Sequence, residues 1–159
     1  MARFVTHVHS PWPVEKAFAY MADLTNFAHW DPGVRRAEYV SADGQGSGQP
    51  ELGAEYEVEV DGIGGPISLI YRLTEYRSPE EVVAIAETRL LRSYDRIVVK
   101  SDDGGGSLVT YDAELTLQGI FGLVDPLLGL AFNRIGRKAE QGLIEALEGE
   151  LATSSNKTA

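Results

Sequence analysis

Alternating hydrophobic and polar positions predict a series of β-strands along most of the chain. The clearest case is EYEVEV at 55–60, where three glutamates face one side and Tyr56, Val58 and Val60 face the other. Turns rich in glycine and aspartate separate these segments, which indicates an antiparallel meander. The predicted strands cover residues 4–10, 34–41, 54–60, 67–76, 81–89, 94–101 and 108–117.

A helical period of hydrophobic positions appears directly after the first strand. Pro13 suits the first turn of a helix, and Val14, Phe18 and Met21 then share one face. Residues 23–30 predict a second short helix, which the sequence Asp-Pro-Gly ends. We therefore expect two short helices between the first and second strands.

A long helix is predicted after the last strand, with Asp125 as its N-cap and Pro126 as its first residue. Such a helix is not stable on propensity alone, so its apolar stripe needs a partner surface, and the sheet is the one large surface available. The residues of this stripe are Leu128, Phe132, Ile135, Ala139, Leu143 and Leu147. The charged residues predicted on its other faces are Arg137, Glu140, Glu145 and Glu148.

The order of these elements predicts an α+β fold in which a curved seven-stranded antiparallel sheet wraps around the C-terminal helix. Where the sheet and the helix diverge, a pocket forms, and such a mouth is a usual place for a small-molecule site. No linker divides the chain. We therefore expect one domain at residues 1–151 and a flexible polar tail at 152–159.

Composition and charge narrow the classes of partner. The net charge of −10 repels nucleic-acid phosphates and anionic lipid, so we expect no nucleic-acid partner. The absence of cysteine excludes disulfides and cysteine-ligated zinc. The start of the chain lacks the pattern of a secretory signal, and no stretch reaches the ~20 apolar residues that span a bilayer. We expect a cytoplasmic protein without stable membrane insertion, either a monomer or a homodimer.

Two segments resemble a known family. HVHSPWPVEKAFAYMADLTNFAHWDPGVRRAEYV, at 7–40, resembles the opening of START-like proteins of the polyketide cyclase/dehydrase group, within the SRPBCC superfamily. GGGSLVTYDAEL, at 104–115, resembles that family's final strand. The matching positions of the first segment are Pro13, Val14, Phe18, Asp23, Trp30, Asp31 and Pro32. The resemblance extends over residues 3–151.

The resemblance implies a helix-grip fold, in which seven strands grip the C-terminal helix. Members of the family include lipid and hormone carriers, aromatic polyketide cyclases, quinone-binding proteins and chaperone activators. Arg72 lies on the strand that would carry a cyclase-type catalytic arginine, but its parity places it with Ser68 and Thr74 on the outer face. This departure from the pattern weakens an assignment as a cyclase.

Aromatic and aliphatic side chains on the predicted inner face are candidates for ligand contact. Trp30 could cover a ligand at the pocket entrance, or simply anchor its helix on the sheet. The hydroxyls of Tyr56, Tyr71 and Tyr111 could orient a polar group of a ligand, or lie at the rim of a packed core. The predicted ligand-binding residues are Trp30, Tyr56, Val58, Leu69, Tyr71, Tyr111, Leu128 and Phe132.

Glu87 and Asp95 are the candidates for acid–base chemistry, because each shares its parity with apolar neighbours on its own strand. A carboxylate buried on the inner face would have a raised pKa and could exchange protons with a ligand. Arg89 or Arg92 could instead neutralise it. A register shift of one residue, or a bulge, would place both carboxylates outside.

Other motifs give weaker indications. His7 and His9 face one side of the first strand, but no third ligand stands nearby, so we expect no metal and no other cofactor. GQGSG at 44–48 lacks the features of a phosphate loop, and together with DGIGGP at 61–66 it could act as a lid over the pocket. The apolar stretch 119–132 could form a pocket wall, pack as a loop on the core, or touch a membrane.

Three functions are compatible with these patterns. The first is a carrier or sensor that binds a small hydrophobic or amphipathic ligand, such as a lipid, quinone or polyketide-like molecule. The second is an enzyme of the cyclase or dehydratase type, which uses tyrosines and a carboxylate of the cavity. The third is a protein-interaction module, which would need no open cavity.

Overall fold

The computed structural model describes residues 1–40, 48–62, 64–119 and 125–152. Strands and helices follow one another in the predicted order. The strands are β1 (Ala2–Ser10), β2 (Val34–Val40), β3 (Glu55–Gly62), β4 (Gly65–Arg77), β5 (Glu81–Glu87), β6 (Leu91–Ser101), β7 (Ser107–Leu117) and β8 (Glu150–Leu151). The helices are α1 (Val14–Ala22), α2 (Phe27–Trp30) and α3 (Asp125–Ala146), with a 3-10 turn at Leu24–Asn26.

The strands form one antiparallel sheet in the order β2-β3-β4-β5-β6-β7-β1-β8. This sheet has eight strands where the sequence predicts seven, because the chain turns back after α3 and pairs Glu150 and Leu151 with His9 and Val8. Two residues are too few to show an alternation. The additional strand therefore depends on the position that α3 takes, not on a local pattern.

The helices join the two ends of the sheet. α3 packs mainly on β1 and on α2, and α2 and the 3-10 turn pack on β2. Since β1 and β2 lie near opposite ends of the strand order, the sheet curves towards the helices, as in the predicted helix-grip fold. The backbone of α3 approaches β1 more closely than it approaches the central strands β4–β6. None of the described helices is long and apolar enough to cross a membrane.

The interior is packed at one end and more open at the other. At the end where β1 finishes, Val8, Leu143 and Leu147 are completely buried. At the opposite end, where β6 begins and β7 finishes, several apolar side chains are only half-buried. These are Leu91, Leu115, Leu117, Leu128 and Phe132. We refer to this as the open end of the sheet.

Helix α3 is rotated slightly from the predicted orientation. Ala139, Leu143 and Leu147 are buried as expected, but Ile135 is 45% exposed. Glu140, which was expected on another face, accepts a hydrogen bond from Thr6 Oγ1 on the inner side of β1, at 2.5 Å. A glycine explains the rotation. A Cβ at Gly136 would overlap the ring of Phe4, so α3 turns its glycine face towards β1, where the absence of a side chain lets the helix approach closely.

Candidate ligand-binding site

A buried polar cluster lies in the middle of the inner sheet face. Tyr111 donates a hydrogen bond to Asp95 Oδ1 at 2.5 Å, and Ser93 donates to Asp95 Oδ2 at 3.0 Å. Tyr71 donates in turn to Ser93 Oγ at 2.9 Å. All four residues are buried, and they come from strands β4, β6 and β7, of which β4 and β6 are separated by β5. We call them the Asp95 cluster.

Burial determines the electrostatics of the cluster. Removal from water raises the pKa of Asp95 to about 6, although the hydrogen bonds from Tyr111, Ser93 and Tyr71 lower it. Burial also raises the pKa of the phenols of Tyr71 and Tyr111, and the nearby carboxylate adds to this effect. Near neutral pH both tyrosines are therefore hydrogen-bond donors, while Asp95 changes its charge within the physiological range.

Aromatic rings surround the polar groups. The ring of Trp30 lies 5.1 Å from that of Tyr111 and 5.0 Å from that of Phe27, and Phe27 lies 6.2 Å from Tyr71. All of these contacts are edge-to-face. Nε1 of Trp30 is buried and has no hydrogen-bond partner among the described residues. Since a buried N–H ordinarily finds a partner, this one is available to an acceptor that the described residues do not supply.

Small side chains flank Asp95 on the sheet. Its cross-strand neighbours are Ala84 on β5 and Ala113 on β7, and Ala86 pairs with Ser93 one step nearer the open end. A methyl group rises little above the sheet surface, whereas the tyrosines on either side are long. The inner face is therefore low around the carboxylate and high at its borders.

The predicted ligand-binding residues occupy the interior in two groups. The residues from α2 and from the sheet are buried, and they are Trp30, Tyr56, Val58, Leu69, Tyr71 and Tyr111. Those from α3, Leu128 and Phe132, are half-buried at the open end. Tyr56 is separate from the Asp95 cluster, and its buried hydroxyl has no hydrogen-bond partner among the described residues. Burial and the charge of Asp23 raise its pKa.

Of the two candidate carboxylates, only Asp95 lies inside. Glu87 is exposed on the outer face, and its Oε1 accepts a hydrogen bond from Gln118 Nε2 at 3.0 Å. The prediction for Glu87 was wrong because β5 is apolar on both faces: Val83 and Ile85 share the outer side with it, while Ala84 and Ala86 face inwards. Parity with apolar neighbours is informative only where one face of a strand is polar.

Two members of the site, the buried Ser93 and the half-buried Asp31, were missing from the sequence prediction. Ser93 has the same parity as Asp95, and that parity was the available signal. Asp31 follows Trp30 and accepts a hydrogen bond from the backbone N–H of Gly33 at 2.8 Å. Burial raises its pKa, and its charge contributes to the raised pKa of Asp95. No periodic pattern covers Asp31, because it lies in the loop between α2 and β2.

The remaining candidates lie away from the interior. Arg72 points outwards and pairs with Glu55, as its parity predicts. His7 Nδ1 lies 2.9 Å from Thr110 Oγ1, and His9 Nδ1 lies 2.8 Å from Asp102 Oδ2. Both histidines are therefore accounted for by local partners on the sheet surface.

The two glycine-rich loops do not belong to the same end of the sheet. The turn within 61–66 joins β3 to β4 at the open end, beyond the pair Val58 and Leu69. Residues 44–47 lie outside the described residues, and the flanking pair Val40 and Glu55 is at the other end. The apolar stretch 119–132 is described only in part, since 120–124 lie outside the described residues. Within it, Leu130 is 74% exposed and does not line the interior.

Solved structures with the same fold cover almost the entire chain. A START superfamily protein from Mycobacterium smegmatis has a TM-score of 0.72 at 11% identity, over 93% of this chain and 98% of that one. An aromatase/cyclase from Streptomyces sp. R1128 has a TM-score of 0.70 at 12% identity, over 92% and 93%. A protein from Thermus thermophilus has a TM-score of 0.69 at 17% identity, over 92% and 96%. At such identities these structures share the fold alone.

No curated protein sequence matches the chain. A family model does: that of polyketide cyclase/dehydrase and lipid transport proteins, which matches residues 1–148. The match spans strands β1 to β7, the short helices, the Asp95 cluster and α3. The chain is a member of the polyketide cyclase/dehydrase and lipid transport family, with the START-like helix-grip fold.

Proposed function

We propose that this protein binds a small amphipathic molecule between the central strands and the N-terminal half of α3. The observation that carries the proposal is the Asp95 cluster, a set of buried polar groups within an otherwise apolar and aromatic interior. Pockets for small molecules combine an apolar lining with a few converging polar groups. In this arrangement the apolar part of the ligand contacts Leu128 and Phe132, and its polar end lies at Asp95 and Trp30.

The open end of the sheet supports entry at this place. Leu91, Leu117 and Phe132 are half-buried there, whereas the opposite end is closed by Val8 and Leu147. A ligand would cover this apolar surface and displace water from it, at about 25 cal/mol per Å². Family membership supports the same proposal, because the family description includes lipid transport.

Filling the proposed space tests the proposal. Ala113→Leu adds three carbon atoms beside Asp95, and we expect the variant to remain folded but to lose binding of an uncharged apolar fluorescent probe such as Nile red. Thr116→Leu, on the outer face of the same strand, is the matched control and should bind as the wild type does. Native mass spectrometry of the protein from its own host, followed by extraction, would identify the molecule itself.

Two other results would contradict the proposal. If Ala113→Leu binds the probe as tightly as the wild type, the binding site lies elsewhere. If the variant fails to fold while Thr116→Leu folds normally, no space exists beside Asp95. Either result contradicts the proposal.

A second candidate function is acid–base catalysis on a bound carbonyl compound. The observation in its favour is the pKa of Asp95, about 6, which is close to a physiological working pH. The carboxylate would remove a proton from a carbon next to the carbonyl, and a tyrosine hydroxyl would donate a hydrogen bond to the developing oxyanion. Catalysis predicts that Asp95→Asn abolishes turnover of the extracted ligand but retains binding, whereas a carrier shows no turnover in either form.

A further inference from the structure

The buried carboxylates of the described chain differ in their partners. Asp112, on the outer face of β7, is held by Arg3 through two hydrogen bonds of 2.8 and 2.7 Å. Glu81 at the start of β5 contacts both Arg77 and Arg96. Among the described residues, Asp95 has only neutral hydroxyls as hydrogen-bond partners, with Tyr111 and Ser93 as its direct donors.

No cation of the described chain reaches the interior. Every described lysine and arginine is exposed except Arg96, which is half-buried and bonds to Glu81 on the outer face. A buried charge is costly unless an opposite charge or strong hydrogen bonds compensate it. The half-buried carboxylate of Asp31 adds further negative charge near Asp95, and no positive charge offsets it among the described residues.

The surroundings of Asp95 are those that bind an organic cation. The rings of Trp30, Phe27, Tyr71 and Tyr111 form a connected wall, and the faces of aromatic rings attract cations. The buried, unpartnered Nε1 of Trp30 independently indicates a ligand, because it can donate to an oxygen close to the positive group. The net charge of −10 would also draw a cationic molecule towards the protein.

We propose that the ligand is an amphipathic amine whose positive nitrogen pairs with the carboxylate of Asp95, within the aromatic wall of Trp30 and Tyr111. This inference rests on the proposed function, since it names the class of ligand for the same site. Arginines supply a positive charge to Asp112 and Glu81, but no described residue does so for Asp95. The amine would supply that positive charge. A hydroxyl, ether or carbonyl oxygen near the nitrogen would satisfy Trp30.

The titratable groups around Asp95 define the pH dependence. Tyr71 on β4 and Tyr111 on β7 stay neutral over the working range because their pKa values are raised. Asp31 faces the cluster from the end of α2, and Glu140 on α3 is bonded to Thr6. Affinity for an amine should therefore increase with pH as Asp95 ionises around pH 6, and level off above it.

Matched probes test the charge directly on the wild-type protein. Decylamine, 1-decanol and decanoic acid share one chain, and 1-naphthylmethylamine, 1-naphthalenemethanol and 1-naphthoic acid share one flat ring system. Calorimetry at pH 7.5 should show that the amine of at least one series binds about tenfold more tightly than its alcohol. The acid should bind more weakly than the alcohol. Decyltrimethylammonium should share the preference, since its charge does not depend on pH.

Two variants locate the effect. Asp95→Asn should reduce the preference for the amine over the alcohol to about one, with little change for the alcohol. Glu87→Gln removes the same charge from the outer face of the adjacent strand and should leave the preference unchanged. Equal binding of amine and alcohol by the wild type would overturn the inference while the proposed function stands. Absence of binding by all seven probes would contradict the proposed function as well.

Discussion

Asp95 occupies a position where a hydrophobic side chain is the ordinary choice, between Ala84 and Ala113 on the inner face of the sheet. Two hydroxyl donors compensate part of the cost of burying its charge, and the rest appears as a raised pKa. A residue that costs stability at such a position is an expected sign of function, because packing alone would select against it.

The first prediction concerns the stability of Asp95→Asn as a function of pH. The folded state raises the pKa of Asp95 from 3.8 to about 6, so between these values the folded protein binds more protons than the unfolded chain. The wild type therefore loses stability as pH rises through this range, and the variant has no such loss. Urea denaturation measures the free energy of unfolding of both proteins. Between pH 4.5 and 7.5, the value for the variant minus that for the wild type should increase by about 2 kcal/mol. A difference independent of pH would contradict a buried, destabilised carboxylate.

At the scale of elements, the approach of α3 depends on glycines at defined positions of one face. Gly136 faces Phe4 of β1, and a Cβ at Gly142 would overlap the backbone carbonyl of Trp30. Gly129 lies on the same helix with open space around it. A side chain at 136 or 142 would therefore move α3 away from β1 or α2. This movement would also change the width of the proposed binding space.

A pair of alanine substitutions separates packing from helix propensity. Gly142→Ala should destabilise the protein by about 2 kcal/mol or more, because a backbone carbonyl cannot move aside as a flexible side chain can. Gly129→Ala should stabilise it by about 0.5–1 kcal/mol, since alanine is the better helix former and meets no neighbour. Thermal unfolding of both variants measures these changes. Stabilisation by both substitutions would mean that α3 does not pack closely against Trp30.

At the scale of the whole molecule, the fold has a packed end and an open end. Val8, Leu143 and Leu147 close one end, while Leu128 and Phe132 remain half-buried at the other. The free energy of local opening follows the amount of apolar surface buried. The proposed site thus lies at the end with less buried apolar surface, where we expect local opening to require less free energy than at the packed end.

Amide hydrogen exchange should divide α3 along its length. In the absence of ligand, peptides from residues 139–146 should exchange at least roughly tenfold more slowly than peptides from 129–136. The reason is that Ala139 and Leu143 are buried, whereas Leu130 and Ile135 are exposed. Mass spectrometry of the exchanged protein measures both halves in one experiment. Uniform protection along the helix would indicate that both ends are equally packed.

The sequence by itself determined the order of the elements, since the alternation at 55–60 and the helical stripe ending at Leu143 and Leu147 are local patterns. It also placed Tyr71, Tyr111 and Asp95 on the inner face, because strand parity is a property of neighbouring residues. The tertiary structure decided the features that strand and helix periods do not determine. It put Glu87 outside on a strand that is apolar on both faces, rotated Ile135 out of the core, and added β8. It also brought Ser93 into contact with Asp95, Trp30 into contact with Tyr111, and the charge of Asp31 close to the cluster. Such contacts between distant segments depend on how strands and helices pack and not on the period within any one of them.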